Sequence, residues 1–360
     1  EIARWLIGEG RRKGESIAIV EGLVQRLIAA GLPLWRLRVN QRMANPLLAA
    51  WGMIWRRDTQ RPEEYLISRR MLETSTWIGS PFQHVMETGQ SLRRRLTALD
   101  AARDHTILHE LAAEGASDFL ALPIEYGDGS IQAMSAVTDH PSGFSEEQVA
   151  LLDALRDPLG AAMEPAAMRR TTASLLRTYL GQGPSRAVTA GAIRRGDISR
   201  LDAVLVMSDL RGFTDKSNRW TEEALLEALG DYFELFVNGV TKQRGDVLKF
   251  LGDGILAVFP IDEDNDTARR CQEALRAVID AREALGTLNR ARAEAGKEAI
   301  DFGAALHLGS VTYGNVGSPD RLDFTVIGDA VNLTSRVEGL CKALAEPILL
   351  TSAVAQHLNT

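Results

Sequence analysis

The sequence predicts an α/β chain of two units, the second a layered sandwich of helices around a mainly antiparallel sheet. Three observations predict it. The length of 360 residues corresponds to about two domains of ~150 residues each. Charge and tryptophan are unevenly divided. Residues 1–100 hold 16 Lys and Arg against 10 Asp and Glu, net +6, whereas the remainder is net −13, and five of the six Trp lie within the first 77 residues. The third observation is the order of elements after residue 200, which reads β-α-β-β-α-β-β-α-β and suits helices packed on an antiparallel sheet.

Composition excludes several classes. Hydrophobic residues make up 45% and charged residues 25%, the balance of an ordinary globular protein. Cys271 and Cys341 are too few for a disulfide framework and form no zinc motif, so both are expected to be buried thiols in a reducing compartment. No apolar run approaches the ~18 residues of a membrane span. The opening EIARWLIGEGRRKG is not a signal peptide, and the expected location is cytoplasmic. There is no initiator Met, so the ends are expected to be trimmed. A net charge of −7 disfavours a general nucleic-acid binder.

The first unit, residues 1–144, reads as mixed α/β. Residues 15–31 have helical apolar spacing and stop at Gly31 before Pro33. LAAWGMIWRR at 48–57 reads as a buried strand. DFLALPIEY at 118–126 and SIQAMSAVTD at 130–139 flank Gly127-Asp128-Gly129, a hairpin signal because Asp and Gly tolerate positive φ. Pro123 predicts an edge or bulged strand. Trp51, Trp55 and Trp77 suit a ligand pocket or a large apolar core equally well. His105 and His109 stand four apart but lack a third ligand, and read as surface histidines. The basic clusters at 11–13, 56–57, 69–70 and 93–95 read as solvated faces.

A helical connector follows at 145–198. Ser145 and Gln148 form a capping box. Val149, Leu152, Leu155, Leu159 and Met163 recur at near coiled-coil spacing, with Pro158 and Pro165 interrupting or kinking the helix. Leu175, Leu176 and Tyr179 carry the pattern to the breaker GQGP at 181–184. The expectation is a dimer stalk, against the alternative of a helix packed on its own domain.

The second unit, 199–360, carries the chemistry. Asp209 follows the apolar strand 201–208, and Asp253 sits in the turn of KFLGDGILAVF. If those strands are neighbours, two carboxylates meet at one rim, and paired anions require cations between them. Hard oxygen ligands with open positions suit Mg²⁺ shared with substrate phosphates. Gly212, in Leu210-Arg211-Gly212-Phe213-Thr214, lets backbone amides approach an anion before a helix. Asn332 and Arg336 share one face of the helix 328–344. The Arg fork suits a phosphate, and the Asn a ribose or base atom. Lys249 and Thr325 lie on short apolar strands. Lys can donate to adenine N1 and Thr can accept from N6, whereas guanine N1–H would be better met by a carboxylate.

VLVMSDLRGFT, VLKFLGDGILAVF and FTVIGDAVNLTSRVE resemble the three signature blocks of the class III nucleotidyl cyclases, in order and over about residues 200–350. The resemblance implies a ferredoxin-like catalytic domain. It places two metal ions, Mg²⁺ or Mn²⁺, on Asp209 and Asp253 with the carbonyl of Leu210. It assigns base selection to Lys249 and Thr325, and the transition-state pair to Asn332 and Arg336. Substrate contacts are expected at Gly212, Phe213 and Thr214. The Thr form resembles the subclass often reported as bicarbonate-responsive. A further hairpin with a phosphate-contacting Lys is also implied, and a chain stopping at Thr360 is expected to lack it. The first unit resembles a GAF-type sensor, whose input would be an unidentified small molecule or ion.

The expected function is therefore an adenylate cyclase, converting ATP to 3′,5′-cyclic AMP and pyrophosphate. In the family the metal pair and the other four positions come from different subunits, so a homodimer with two composite sites is expected. The alternatives are a guanylate cyclase, which Lys249 and Thr325 oppose, and a catalytically inactive nucleotide-binding regulator. A diguanylate cyclase is disfavoured because no GG[DE]EF block is present.

Overall fold

The computed structural model describes residues 1–194, 196–261 and 266–358 and resolves into two compact units, 1–175 and 176–360.

The first unit is a six-stranded antiparallel sheet with helices on both faces. Helix α1 (Ile2–Trp5) runs into a π-helical turn and then α2 (Ser16–Ala29). Gly31, at φ +83°, turns the chain where a side chain would be strained. Strands β1 (Arg36–Arg42), β2 (Leu48–Arg56) and β3 (Glu63–Ser68) are followed by α3 (Pro81–Thr88), β4 (Leu92–Arg95) and α4 (Thr106–Ala113). The hairpin β5 (Asp118–Glu125) and β6 (Ile131–Thr138) forms as expected, its turn closed by Gly129 N donating to the Tyr126 carbonyl. The sheet order is β3-β2-β1-β6-β5-β4.

Four readings change here. Strand β5 is flanked on both sides, but β4 reaches only to Ala121, so Pro123 lies beyond it and the carbonyl of Pro123 accepts from Arg156 Nε instead. Trp51 and Trp55 are core residues packed with α2, while only Trp77 flanks the opposite cluster. His105 and His109 are not plain surface histidines. His105 caps α4, its Nδ1 accepting from Ile107 N, and His109 Nε2 is buried without a partner.

The connector corrects the stalk expectation. The capping box of Ser145 and Gln148 starts α5 (Glu146–Ala154), and the chain restarts as α6 (Arg156–Leu180). Pro158 falls in the first turn of α6, where its missing N–H costs little; Pro165 lies inside it. Leu152, Leu155, Leu159 and Met163 join the core of the first unit, with Val149 packed against it. The apolar stripe is thus covered by its own domain and is not left for a partner.

In the second unit, Gly181 at φ +87° ends α6, and α7 (Gln182–Thr189) leads to β7 (Ile198–Leu210). Then come α8 (Phe213–Ser217), α9 (Glu222–Lys242), β8 (Asp246–Leu251), β9 (Gly254–Ile261) and α10 (Thr267–Glu294). Strand β10 (Phe302–Gly317) is one continuous strand, whereas the sequence pattern suggests two, at 302–309 and near 311–316; it is continuous because it pairs with β7 from Phe302↔Leu210 to Gly314↔Ile198. Strand β11 (Leu322–Ile327), α11 (Asp329–Leu344), β12 (Ile348–Leu350) and α12 (Ser352–Ala355) complete the unit.

The strand order is β11-β10-β7-β9-β8, with β12 parallel to β10. Central β7 is buried on both faces. Val204 and Val206 point to the α9/α10 side, and Ala203 and Leu205 to the other, which explains its unbroken apolar run. Cys271 and Cys341 are free and buried, as expected. Among the described residues no helix is long and apolar enough to cross a membrane.

Phe236 sits at the centre of the α9 side, 5.6 Å edge-on from Phe302 and 6.1 Å from Tyr232. Phe236→Ala is expected to cost this unit about 3–5 kcal/mol, whereas Leu226→Ala, at a position 68% exposed, should change stability by less than ~0.5 kcal/mol. Urea unfolding followed by circular dichroism measures both; equal effects would contradict this packing.

Candidate active site

The hairpin between β8 and β9 brings the two aspartates together. Leu251 pairs with Gly254, leaving Gly252 and Asp253 as a two-residue loop, with Gly252 at φ +67° supplying the positive φ that such a loop requires. Strand β9 also pairs with β7, and Asp209 lies opposite Gly254. Leu210 N donates to the Asp253 carbonyl at 3.3 Å, so the loop is tied to the end of β7. Beneath it, Tyr232 donates its phenol proton to Ser208 Oγ at 2.8 Å, and Ser208 Oγ donates to the Gly303 carbonyl at 2.8 Å. These fully buried bonds fix the residue before Asp209.

Both carboxyl groups are half-buried. Burial, then the charge of Asp253 and then that of Glu338 push the Asp209 carboxyl up to about 6, and the two carboxyls stand close enough to share a hydrogen bond. Desolvation and a like charge both disfavour a second anion. Glu338 on α11 is also pushed up, mainly by burial, with Arg211 opposing.

The loop after Asp209 is shaped by Gly212, at φ +68°, which precedes the five-residue α8. Phe213 packs against the core, whereas Thr214 is exposed. The loop is anchored below by Lys216, Arg219 and Trp220, which all converge on Glu298. These contacts, Lys216 first, hold the Glu298 carboxyl down at about 2.

Lys249 lies on β8 and Thr325 on β11, at opposite ends of the sheet order. Lys249 nevertheless forms an ion pair with Asp323, two residues before Thr325 on the same face of β11. Lys249, Phe250, Asp323 and Phe324 line a cavity of about 540 Å³. Thr325 is half-buried beside it and is not part of its lining. Asn332 and Arg336, one turn apart on α11, are exposed, and Arg336 has no ion pair among the described residues. The chain thus gathers Asp209, Leu210 and Asp253 in one place, pairs Lys249 with Asp323 rather than with Thr325 in another, and leaves Asn332 and Arg336 exposed.

Three residues escaped the sequence reading. Asp323 stood in the block FTVIGDAVN's approach, RLDFT, where spacing of two from Thr325 was the available signal. Glu338 and Arg211 could not be placed, because nothing local shows that α11 packs over the end of β7.

Comparison with known proteins now bears on this site. Residues 197–360 match the adenylate and guanylate cyclase catalytic domain. An adenylate cyclase from Anabaena cylindrica is 34% identical over 171 residues, 46% of this chain, and the chain spans 33% of that protein's length. Among solved structures, the guanylyl cyclase Cya2 is 29% identical, with 45% of this chain and 80% of that one covered at a TM-score of 0.40. The adenylyl cyclase CyaB from P. aeruginosa is 27% identical, with 44% and 81% covered at a TM-score of 0.41. Residues 197–360 are thus similar to an adenylate and guanylate cyclase catalytic domain.

The raised carboxyl has a consequence for stability. A group that holds its proton more tightly folded than unfolded weakens the fold as pH rises past the ordinary Asp value of about 3.9, and the loss is complete above about 6. In EDTA, Asp209→Asn is expected to raise Tm above pH 6, with the gain vanishing near pH 4. A gain independent of pH, or none, would contradict the crowding of these carboxyls.

Proposed function

We propose that this protein is an adenylate cyclase that converts ATP to 3′,5′-cyclic AMP and pyrophosphate at composite sites in a homodimer, under control of its N-terminal unit. The observation that carries the reading is the convergence of Asp209 and Asp253 on one sheet rim within the matched domain.

The residues fit a divalent cation. Two facing carboxyls with a displaced proton form an oxygen donor set that is incomplete by itself, and among the described residues no three His, Cys, Asp or Glu side chains gather as a metal cage. That suits Mg²⁺ or Mn²⁺ shared with phosphates. Asp209, Asp253 and the carbonyl of Leu210 would hold two ions per site. Bound there, they supply neutralisation of the triphosphate and a lowered pKa for the attacking hydroxyl.

In the reaction the ribose 3′-oxygen attacks the α-phosphorus. The O3′–P bond forms, the bond to the bridging oxygen of the leaving pyrophosphate breaks, and the hydroxyl proton is lost. The open backbone at Gly212, with Phe213 and Thr214, faces the phosphates. Lys249 and Thr325 read the base, Lys249 donating to N1. Asn332 orients the ribose. Arg336 meets charge that grows on the α-phosphate, a contact strongest in the transition state. No side chain of this chain is assigned as general base.

Two copies are favoured because Asn332 and Arg336 face solvent, away from their own carboxylate pair. The same helix exposes Leu340 at 51% and Leu344 at 58%, and the β8 rim exposes Phe250 and Leu251. A second copy would cover these residues and bring its Arg336 to the metal side. We assign a sensor domain at 1–144, a helical linker at 145–198 whose first part packs into the core of that domain, and a catalytic domain at 199–360. The GAF-like reading of the first draws support from its antiparallel sheet order β3-β2-β1-β6-β5-β4 with helices on both faces; its input is an unidentified small molecule or ion.

Two measurements test this reading. With Mg²⁺ or Mn²⁺, the protein should form cyclic AMP from ATP in preference to cyclic GMP from GTP, and Arg336→Ala should lower kcat by about 10²–10³. Asp253→Ala and Arg336→Ala proteins, each inactive, should regain activity on mixing, because one of the two sites in a mixed dimer is intact. Absence of recovery under conditions of subunit exchange would count against the composite site.

A further inference from the structure

We propose that Asp323 is a positioning residue for base selection, acting by holding the ammonium of Lys249. This rests on the cyclase reading above and deepens it, since that reading gives no role to Asp323.

The argument starts from the topology. Strands β8 and β11 end opposite sides of the sheet order, yet Lys249 and Asp323 meet in an ion pair. Both residues line the cavity of about 540 Å³, whose wall also includes Phe250 and Phe324 and, on another side, residues 177–182. The side chain of Lys249 is 33% exposed and that of Asp323 52%. An ion pair so open adds little to stability, so its worth lies in where it puts the charge.

A lysine stem has four rotatable carbons, and its ammonium is a point charge that finds any nearby acceptor. Unheld, it can donate to adenine N1 or reach the adjacent guanine O6. Held by Asp323, one of its three protons is committed and the direction of the others is fixed. The ammonium then meets one acceptor position on the base edge. Thr325, two residues along the same face of β11, completes the edge. The carboxylate is also the group expected to favour guanine N1–H. Its pairing with Lys249 diverts it from that role, so removing Lys249 and removing Asp323 are not equivalent.

The test uses the full-length protein and steady-state kinetics with ATP and GTP. Asp323→Ala is expected to raise KM for ATP about tenfold, the scale of ordering one long side chain. The ATP:GTP ratio of kcat/KM should fall about tenfold, with kcat for ATP within about threefold of the parent. Asp323→Glu should recover part of the loss. Added to Lys249→Ala, Asp323→Ala should leave KM for ATP unchanged, because for ATP it acts through the lysine, while removing the freed carboxylate should lower any turnover of GTP gained by Lys249→Ala. A merely structural role would instead lower kcat for both nucleotides together at unchanged KM, and that result overturns the proposal. Unchanged KM and unchanged nucleotide ratio in Asp323→Ala, with active parent protein, overturn the proposal and leave the cyclase reading standing. A parent protein that turns over neither nucleotide overturns both.

Discussion

Asp209 is held where burial and the neighbouring Asp253 raise the energy of its charge, and the second unit is arranged around keeping the two residues there. Strand β7 delivers Asp209 at its last turn of pairing, and the β8–β9 loop delivers Asp253. Neither carboxyl relieves the repulsion by moving off, because the backbone beneath is fixed by the Leu210–Asp253 bond and by the buried Tyr232–Ser208–Gly303 chain. A free pair of carboxylates would separate into water. Here burial and the nearby carboxyl push the Asp209 group up to about 6, as expected for an acid crowded by a like charge in a half-buried setting.

The other functional groups follow from what the sheet can and cannot bring together. Lys249 and Asp323 come from strands at its opposite ends and still meet in an ion pair. Asn332 and Arg336 lie on the outer side of α11, with exposed leucines beside them. A single copy thus gathers Asp209 with Asp253 and Lys249 with Asp323, and leaves Arg336 exposed. The first unit is a separate packing problem, solved by its own two clusters on either face of its sheet.

Much of this was legible in the sequence. The aspartate pair could be read because each follows or interrupts an apolar strand, and strand periodicity with a Gly-Asp-Gly turn fixes where the side chain emerges. The helix cap at Ser145 was equally plain, since capping is local. What failed was nonlocal. Whether Val149 to Met163 faced a partner or its own domain depended on a core that only the fold assembles. Strand β10 seemed divided at Gly309 and Ser310, and partnership with the long β7 carries it through. Asp323 gave no local signal of Lys249, because 74 residues separate them.

The most direct measurement is an anomalous diffraction map from crystals grown with Mn²⁺ and a non-cyclising ATP analogue. The account predicts metal peaks between the carboxyl groups of Asp209 and Asp253, with the adenine against Lys249 of the second copy. Peaks bound elsewhere, with these two carboxyl groups left without metal while the nucleotide is seated, would contradict it.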